Sequence, residues 1–261
     1  MMMKRLIQTL YLGSLLALAG AAHAGERHVY LLIGQSNMAG RAPIAESDSG
    51  VIAGCLLLNG EDEWEPAKSP MNRHSSIQRN LSMQKLGPAY GFAKAMTKAD
   101  SDTTLCLVVN ARGNTSIEQW AKGTDYYKEA VRRARIAQKH GKLMGILWHQ
   151  GEANGKQPEG YLDKLITLVG DLRKDLGCPD VPFVVGGIHN LPAINEQLIK
   201  LPDAVARTGF ASSEGLKAMD RWHFDAESVK LLGKRYAEQI QALQRTTDYT
   251  NQNTTINTSK K

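Results

Sequence analysis

The sequence predicts an α/β fold of three layers, a five-stranded parallel sheet between two layers of helices. Short apolar runs of strand length alternate with longer stretches of helical periodicity, the pattern of βαβ units. The short runs are almost continuously apolar, as expected of a sheet covered on both faces. Small and polar residues gather directly after those runs, where open parallel sheets place their functional groups.

The first strand is expected at residues 28–33, where His-Val-Tyr-Leu-Leu-Ile runs into Gly34-Gln35-Ser36-Asn37. A second is expected at 55–59, ending on Asn59-Gly60. A helix follows at 88–99, with Tyr90, Phe92, Ala93 and Met96 at helical spacing. The third strand, 104–110, leads into Ala111-Arg112-Gly113-Asn114. A helix at 126–140 precedes a fourth strand at 144–148, which leads into His149-Gln150-Gly151-Glu152. A helix at 160–176, a fifth strand at 182–188 and a last helix at 226–243 complete the set. There is no internal repeat and no linker composition, so residues 25–245 are expected to form one domain.

The 261 residues are 42% hydrophobic and 22% charged, ordinary globular usage, which excludes a disordered chain, a collagen and a coiled-coil rod. The only long apolar stretch is N-terminal, which excludes a polytopic membrane protein. Lys4 and Arg5 precede an apolar run to about residue 19, followed by Ala22-His23-Ala24. This is the order of a secretory leader, with residues 1–24 removed and no stable membrane anchor left. The mature chain is then expected in the periplasm or outside the cell. Cleavage lowers the basic count from 32 to 30 against 26 acidic residues, too small and scattered an excess for nucleic-acid binding. Residues 246–261 are polar, lack a core pattern and are expected to be an unstructured tail. Cys55, Cys106 and Cys178 allow one disulfide, which sequence alone does not pair.

Ser36 follows a strand through a glycine and precedes a helix. It fits a helix cap, and equally a nucleophile beside backbone N–H groups that face a developing oxyanion. Asp220-Arg221-Trp222-His223-Phe224-Asp225 precedes the last helix. An Asp and a His three apart in one turn can touch, which fixes the histidine tautomer and turns its other nitrogen into a base. Gly113 offers an unobstructed backbone N–H and Gln150 a side-chain amide for an oxyanion. Either also suits a structural role, as a loop glycine with positive φ or a buried amide.

The segments Gly34-Gln35-Ser36-Asn37-Met38-Ala39-Gly40, Gly113-Asn114-Thr115-Ser116-Ile117-Glu118-Gln119-Trp120, Trp148-His149-Gln150-Gly151-Glu152-Ala153-Asn154 and Asp220-Arg221-Trp222-His223-Phe224-Asp225 occur in this order. Together they resemble the SGNH-hydrolase superfamily, and within it the carbohydrate esterases of the sialate O-acetylesterase and acetylxylan esterase type. The resemblance covers about residues 28–243 and implies a flavodoxin-like α/β/α sandwich and hydrolysis of acetyl esters on sugars. By it, Ser36 is the nucleophile, His223 the base and Asp220 its orienting acid. The Ser36 and Gly113 N–H groups and the Gln150 side chain would bind the oxyanion. Glu152 is either a rival partner of His223 or a structural group. Trp222 and Arg112 are candidates for substrate contact. If the substrate is a sialate, one of Arg41, Arg73 or Arg112 is expected to pair with its carboxylate; Arg79 is a fourth loop arginine near the site.

No metal or cofactor is expected. His149, Glu152 and His189 lack the His-Glu-x-x-His spacing of a zinc hydrolase, and no phosphate-binding glycine motif occurs. The alternative of another class is a non-catalytic carbohydrate-binding protein that stacks tryptophans on sugar faces; of Trp64, Trp120, Trp148 and Trp222, the second and third are expected in the core and Trp222 is the best candidate to line the pocket.

Overall fold

The computed structural model describes residues 26–258 other than Arg79, with side chains to Arg245 except that of Leu81. The expected leader, residues 1–24, and Arg79 lie outside the described residues. The elements in chain order are β1 (Arg27–Gly34), α1 (Ser36–Ala39), β2 (Cys55–Leu58), β3 (Trp64–Pro66), α2 (Pro88–Ala99), β4 (Thr104–Ala111) and α3 (Asp125–Gln138). There follow β5 (Lys142–His149), α4 (Tyr161–Asp175), β6 (Phe183–Gly186), α5 (Pro192–Leu198), α6 (Leu201–Ala204), β7 (Thr208–Ala211) and α7 (Ala226–Thr258).

The sheet has seven strands in the order β3-β2-β4-β1-β5-β6-β7, with only the β2–β3 pair antiparallel. The five expected strands are β1, β2, β4, β5 and β6. The two added strands are short edges. Trp64-Glu65-Pro66 is only three residues long, and Thr208-Gly209-Phe210-Ala211 mixes polar and small residues into its run, so neither carries an apolar signature.

The period of β1 divides its side chains between two cores. Val29, Leu31 and Ile33 join the layer under α3 and α4. Tyr30 and Leu32 join the opposite layer under α2 and α7. Val229, Leu232, Tyr236, Ala237 and Ile240 form the buried stripe of α7. Beyond that stripe α7 runs on to Thr258, through most of the segment expected as a tail. Once a docked helix is nucleated, each added residue costs little.

Cys55 and Cys106 sit on neighbouring strands, but Cys55 faces the α2/α7 core and Cys106 the α3/α4 core. Side chains directed to opposite faces of a sheet cannot be bridged, and all three thiols are free.

Candidate active site

The site lies beyond the carboxyl ends of the three central strands, β4, β1 and β5. The chain leaves β1 through Gly34, whose φ is 133°. A Cβ there would stand 2.1 Å from the His149 carbonyl oxygen, so only glycine lets β1 turn so close to the end of β5. The Gln35 N–H then bonds that carbonyl at 2.8 Å and sets Ser36 at the start of α1.

The loop before α7 brings His223 onto the serine, with Nε2 3.0 Å from Ser36 Oγ. The other ring nitrogen, Nδ1, is 2.8 Å from Asp220 Oδ2. Asp220 Oδ1 accepts the backbone N–H groups of Trp222 and His223 at 2.7 and 2.8 Å. Burial opposes ionisation of Asp220, but the bonds from the His223 ring and those two N–H groups outweigh it and hold the carboxyl at about 2. The ionised Asp220 only accepts, so Nδ1 carries the proton and Nε2 presents its lone pair to the Ser36 hydroxyl.

These residues open onto a cavity of about 490 Å³, whose walls include Ser36, Gly113, Arg41, Glu152, Trp222 and His223. Gly113 is not in a positive-φ conformation; Asn114 after it is, at 58°. Glycine at 113 is explained by close approach, since a Cβ would stand 3.4 Å from Ser36 Cβ and 2.8 Å from Arg41 Nη2. The strand end behind it is pinned by Asn72. The Asn72 side chain donates to the Ala111 carbonyl and accepts the Ala111 N–H, at 3.0 and 2.9 Å.

Three candidate site residues are elsewhere. Gln150 is fully buried behind the cavity. Its Nε2 donates to Thr115 O at 2.9 Å and Asn154 Oδ1 at 2.7 Å, and its Oε1 accepts from the Tyr161 hydroxyl at 2.8 Å. With both amide hydrogens engaged, it ties loops together rather than facing an oxyanion. Arg112 turns away as well, donating to Ile77 O at 2.7 Å and lying over the Tyr126 ring. Arg73 is bound to Glu65 and to Pro70 O. Arg41, by contrast, lines the cavity. Its Nη1 is fixed by Gly40 O and Met83 O at 2.8 and 3.3 Å.

Glu152 does not partner His223. It begins the turn after β5, is 5% exposed, and takes the Asn37 side-chain N–H on Oε1 at 2.7 Å. Its Oε2 and the nearby His149 Nε2 are buried without hydrogen bonds. The Tyr236 hydroxyl donates to Trp148 O at 2.7 Å, so it accepts from His149 Nδ1, 3.1 Å away. His149 is thereby the Nδ1–H tautomer, with a bare Nε2 turned toward Glu152 at 3.9 Å.

Burial raises Glu152 from 4.5 to about 7 and lowers His149 from 6.5 to about 3. The folded chain keeps a proton on Glu152 that the unfolded chain releases, so this group lowers stability as pH rises from about 4.5 to about 7. The unfolded chain protonates His149 while the folded chain resists, so this group lowers stability as pH falls from about 6.5 to about 3. Glu152→Gln removes only the first effect. At pH 8 the variant is expected to be the more stable, by up to about 3 kcal/mol, with the gain gone near pH 4.5. Thermal unfolding of both proteins across pH checks this.

Sequence reasoning missed Asn37. It is 2% exposed and bonds both Glu152 and the main chain of the His223 loop. Its place directly after Ser36 was visible, but its partners, 115 to 187 positions away, were not.

The sequence model of a family described as "Carbohydrate esterase, sialic acid-specific acetylesterase" matches residues 26–242. A curated Arabidopsis thaliana protein, "Probable carbohydrate esterase", is 28% identical over 176 residues. That match covers 60% of this chain and 66% of the relative. The X-ray structure of that Arabidopsis protein superposes with a TM-score of 0.76 at 25% identity, covering 82% of this chain and 98% of the other. Two further structures share the fold. NanS has a TM-score of 0.68 at 16% identity, covering 85% and 99% of the two chains. A carbohydrate acetylesterase from Xanthomonas citri has a TM-score of 0.62 at 17% identity, covering 82% and 56%.

Proposed function

This chain belongs to the carbohydrate esterase family of sialic acid-specific acetylesterases, and from that premise we propose that it hydrolyses O-acetyl esters of sugars through an acyl-enzyme on Ser36. The observation that carries the reading is the hydrogen-bonded chain from Ser36 Oγ through His223 to Asp220, opening onto the cavity. Ser36 Oγ attacks the acetyl carbonyl carbon as His223 Nε2 takes its proton. The oxyanion that forms is met by the backbone N–H groups of Ser36 and Gly113. The imidazolium, held by ionised Asp220, returns the proton to the departing sugar oxygen. Water, deprotonated by His223, then attacks the acetyl-serine and frees acetate and Ser36.

The experiment is acetate release by residues 25–261 from O-acetylated sialic acid and from an acetylated xylo-oligosaccharide. Release that Ser36→Ala abolishes supports the reading. No release from either sugar, nor from an aryl acetate, would overturn it and leave a sugar-binding protein. Residues 1–24, taken as a cleaved leader, would place this reaction in the periplasm or outside the cell.

Among Arg41, Arg73 and Arg112, only Arg41 lines the cavity. Its guanidinium, fixed through Nη1, suits the carboxylate of a sialate. Arg41→Ala is expected to raise KM for O-acetyl sialate about 10- to 100-fold, the worth of a charge-assisted hydrogen bond. KM for a neutral aryl acetate should stay within about threefold. Equal effects on both substrates would remove Arg41 from carboxylate recognition.

A further inference from the structure

Ser36 and His223 are 187 positions apart in the chain, on separate segments with no element in common. Among the described residues, besides their own bond, one buried amide hydrogen-bonds the two segments together. Asn37 Nδ2 donates to the Trp222 carbonyl at 2.9 Å, and Asn37 Oδ1 accepts the Phe224 N–H at 3.2 Å. Trp222 and Phe224 flank His223, so the residue after the serine grips the main chain on both sides of the histidine. The second Nδ2 hydrogen goes to Glu152 Oε1 at 2.7 Å, on the turn after β5.

The orientation of this amide is determined by its partners. Reversed, it would set Oδ1 against the Trp222 carbonyl and the Glu152 carboxyl, and Nδ2 against the Phe224 N–H. The two bonds to the His223 loop would become clashes of like polarity, and so would the third wherever Glu152 is ionised. Two of the three groups that enforce the orientation are on the His223 loop itself. Glu152 is the one independent of it, and its side chain is 5% exposed. The His223 loop is stiffened internally by Asp220, which takes the Trp222 and His223 N–H groups. Those bonds shape the loop but do not locate it relative to Ser36.

We propose that Asn37 is a positioning residue for His223, and Glu152 for Asn37, so that a Glu152–Asn37 clamp sets the Ser36–His223 separation independently of the bond between them. This inference rests on Ser36 and His223 being the reacting pair. A base displaced by about 1 Å costs on the order of 10²-fold in rate. The loss falls on proton transfer and hence on kcat, because Asn37 is buried and does not line the cavity.

The test compares Asn37→Ala, Glu152→Leu, Glu152→Gln and Ser36→Ala with the parent, using an aryl acetate well below each protein's Tm. Near-UV circular dichroism establishes the folded fraction. Asn37→Ala is expected to lower kcat about 10- to 100-fold, with KM within about threefold. Glu152→Leu should lower kcat about 10-fold, whereas Glu152→Gln, whose Oε1 still accepts the Asn37 N–H, should keep kcat within about threefold of the parent. A group that only stabilises the fold would change Tm and leave kcat of the folded protein unmoved. That result for Asn37→Ala, or equal losses in Glu152→Leu and Glu152→Gln, overturns the inference. Should Asn37→Ala fail to fold, the contrast at position 152 decides. Parental activity in Ser36→Ala would instead overturn the reading of the reacting pair.

Discussion

Ser36→Ala is expected to reduce acetate release by on the order of 10⁴- to 10⁶-fold, close to complete loss. The serine oxygen is the only group that the proposed first step adds to the acetyl carbon, so its removal leaves no covalent route. What remains is the stabilisation that the proposed oxyanion donors, the N–H groups of Ser36 and Gly113, would offer to direct attack by water. The fold should be almost untouched. Ser36 is 8% exposed, its side-chain hydrogen bond is to His223, and alanine suits the start of α1. Acetate release and thermal unfolding, measured on the same preparation, separate lost chemistry from lost structure. Activity within tenfold of the parent would remove Ser36 from the nucleophilic role.

Asp220→Asn is the second large effect, expected at about 10²- to 10³-fold in kcat, below the roughly 10⁴-fold of a fully buried triad aspartate. The carboxylate accepts from the His223 ring on one oxygen and from two backbone N–H groups on the other. A carboxamide keeps the backbone bonds through its oxygen and then turns its NH₂ toward His223 Nδ1. The ring would respond by taking the tautomer whose proton sits on Nε2, which cannot accept the serine proton. Asp220 is about half exposed, so solvent moderates the effect. With its own titration held at about 2, Asp220 stays ionised across the working range. Any loss of activity between pH 4 and 7 would therefore not be its protonation. Glu152→Gln in parallel, losing much less, would assign the partner of His223 functionally as the geometry does. A larger loss at Glu152 than at Asp220 would reverse the assignment.

The parts of this site that were legible in sequence are the local ones. Gly34-Gln35-Ser36 ends a strand and starts a helix within three residues. Asp220 and His223 meet inside one turn, so spacing sufficed to pair them. Gln150 and Arg112 were misread for a shared reason. A residue just past a strand end is placed at the correct edge of the sheet, but sequence does not say which way its side chain turns. Gln150 turns inward to Thr115 and Asn154, and Arg112 to Ile77. Arg41 and Glu152 face the cavity because of contacts with Met83 and Asn37, both distant in sequence. The fold was legible where strands are apolar, whether eight residues long as β1 or four as β2 and β6. It was not at β3, a three-residue edge ending in proline, or at β7, where glycine interrupts the run.

Covalent capture of Ser36 distinguishes acyl transfer through that residue from any route that bypasses it. The full chain would be treated with an alkyl fluorophosphonate, which phosphonylates activated serines, while acetylesterase activity is followed and the labelled peptide is located by mass spectrometry. One label per chain is expected, on Ser36, with activity falling in step with labelling and with protection by the acetylated sugar. Full activity in completely labelled protein, or complete inactivation with Ser36 unmodified, would contradict acyl transfer through Ser36.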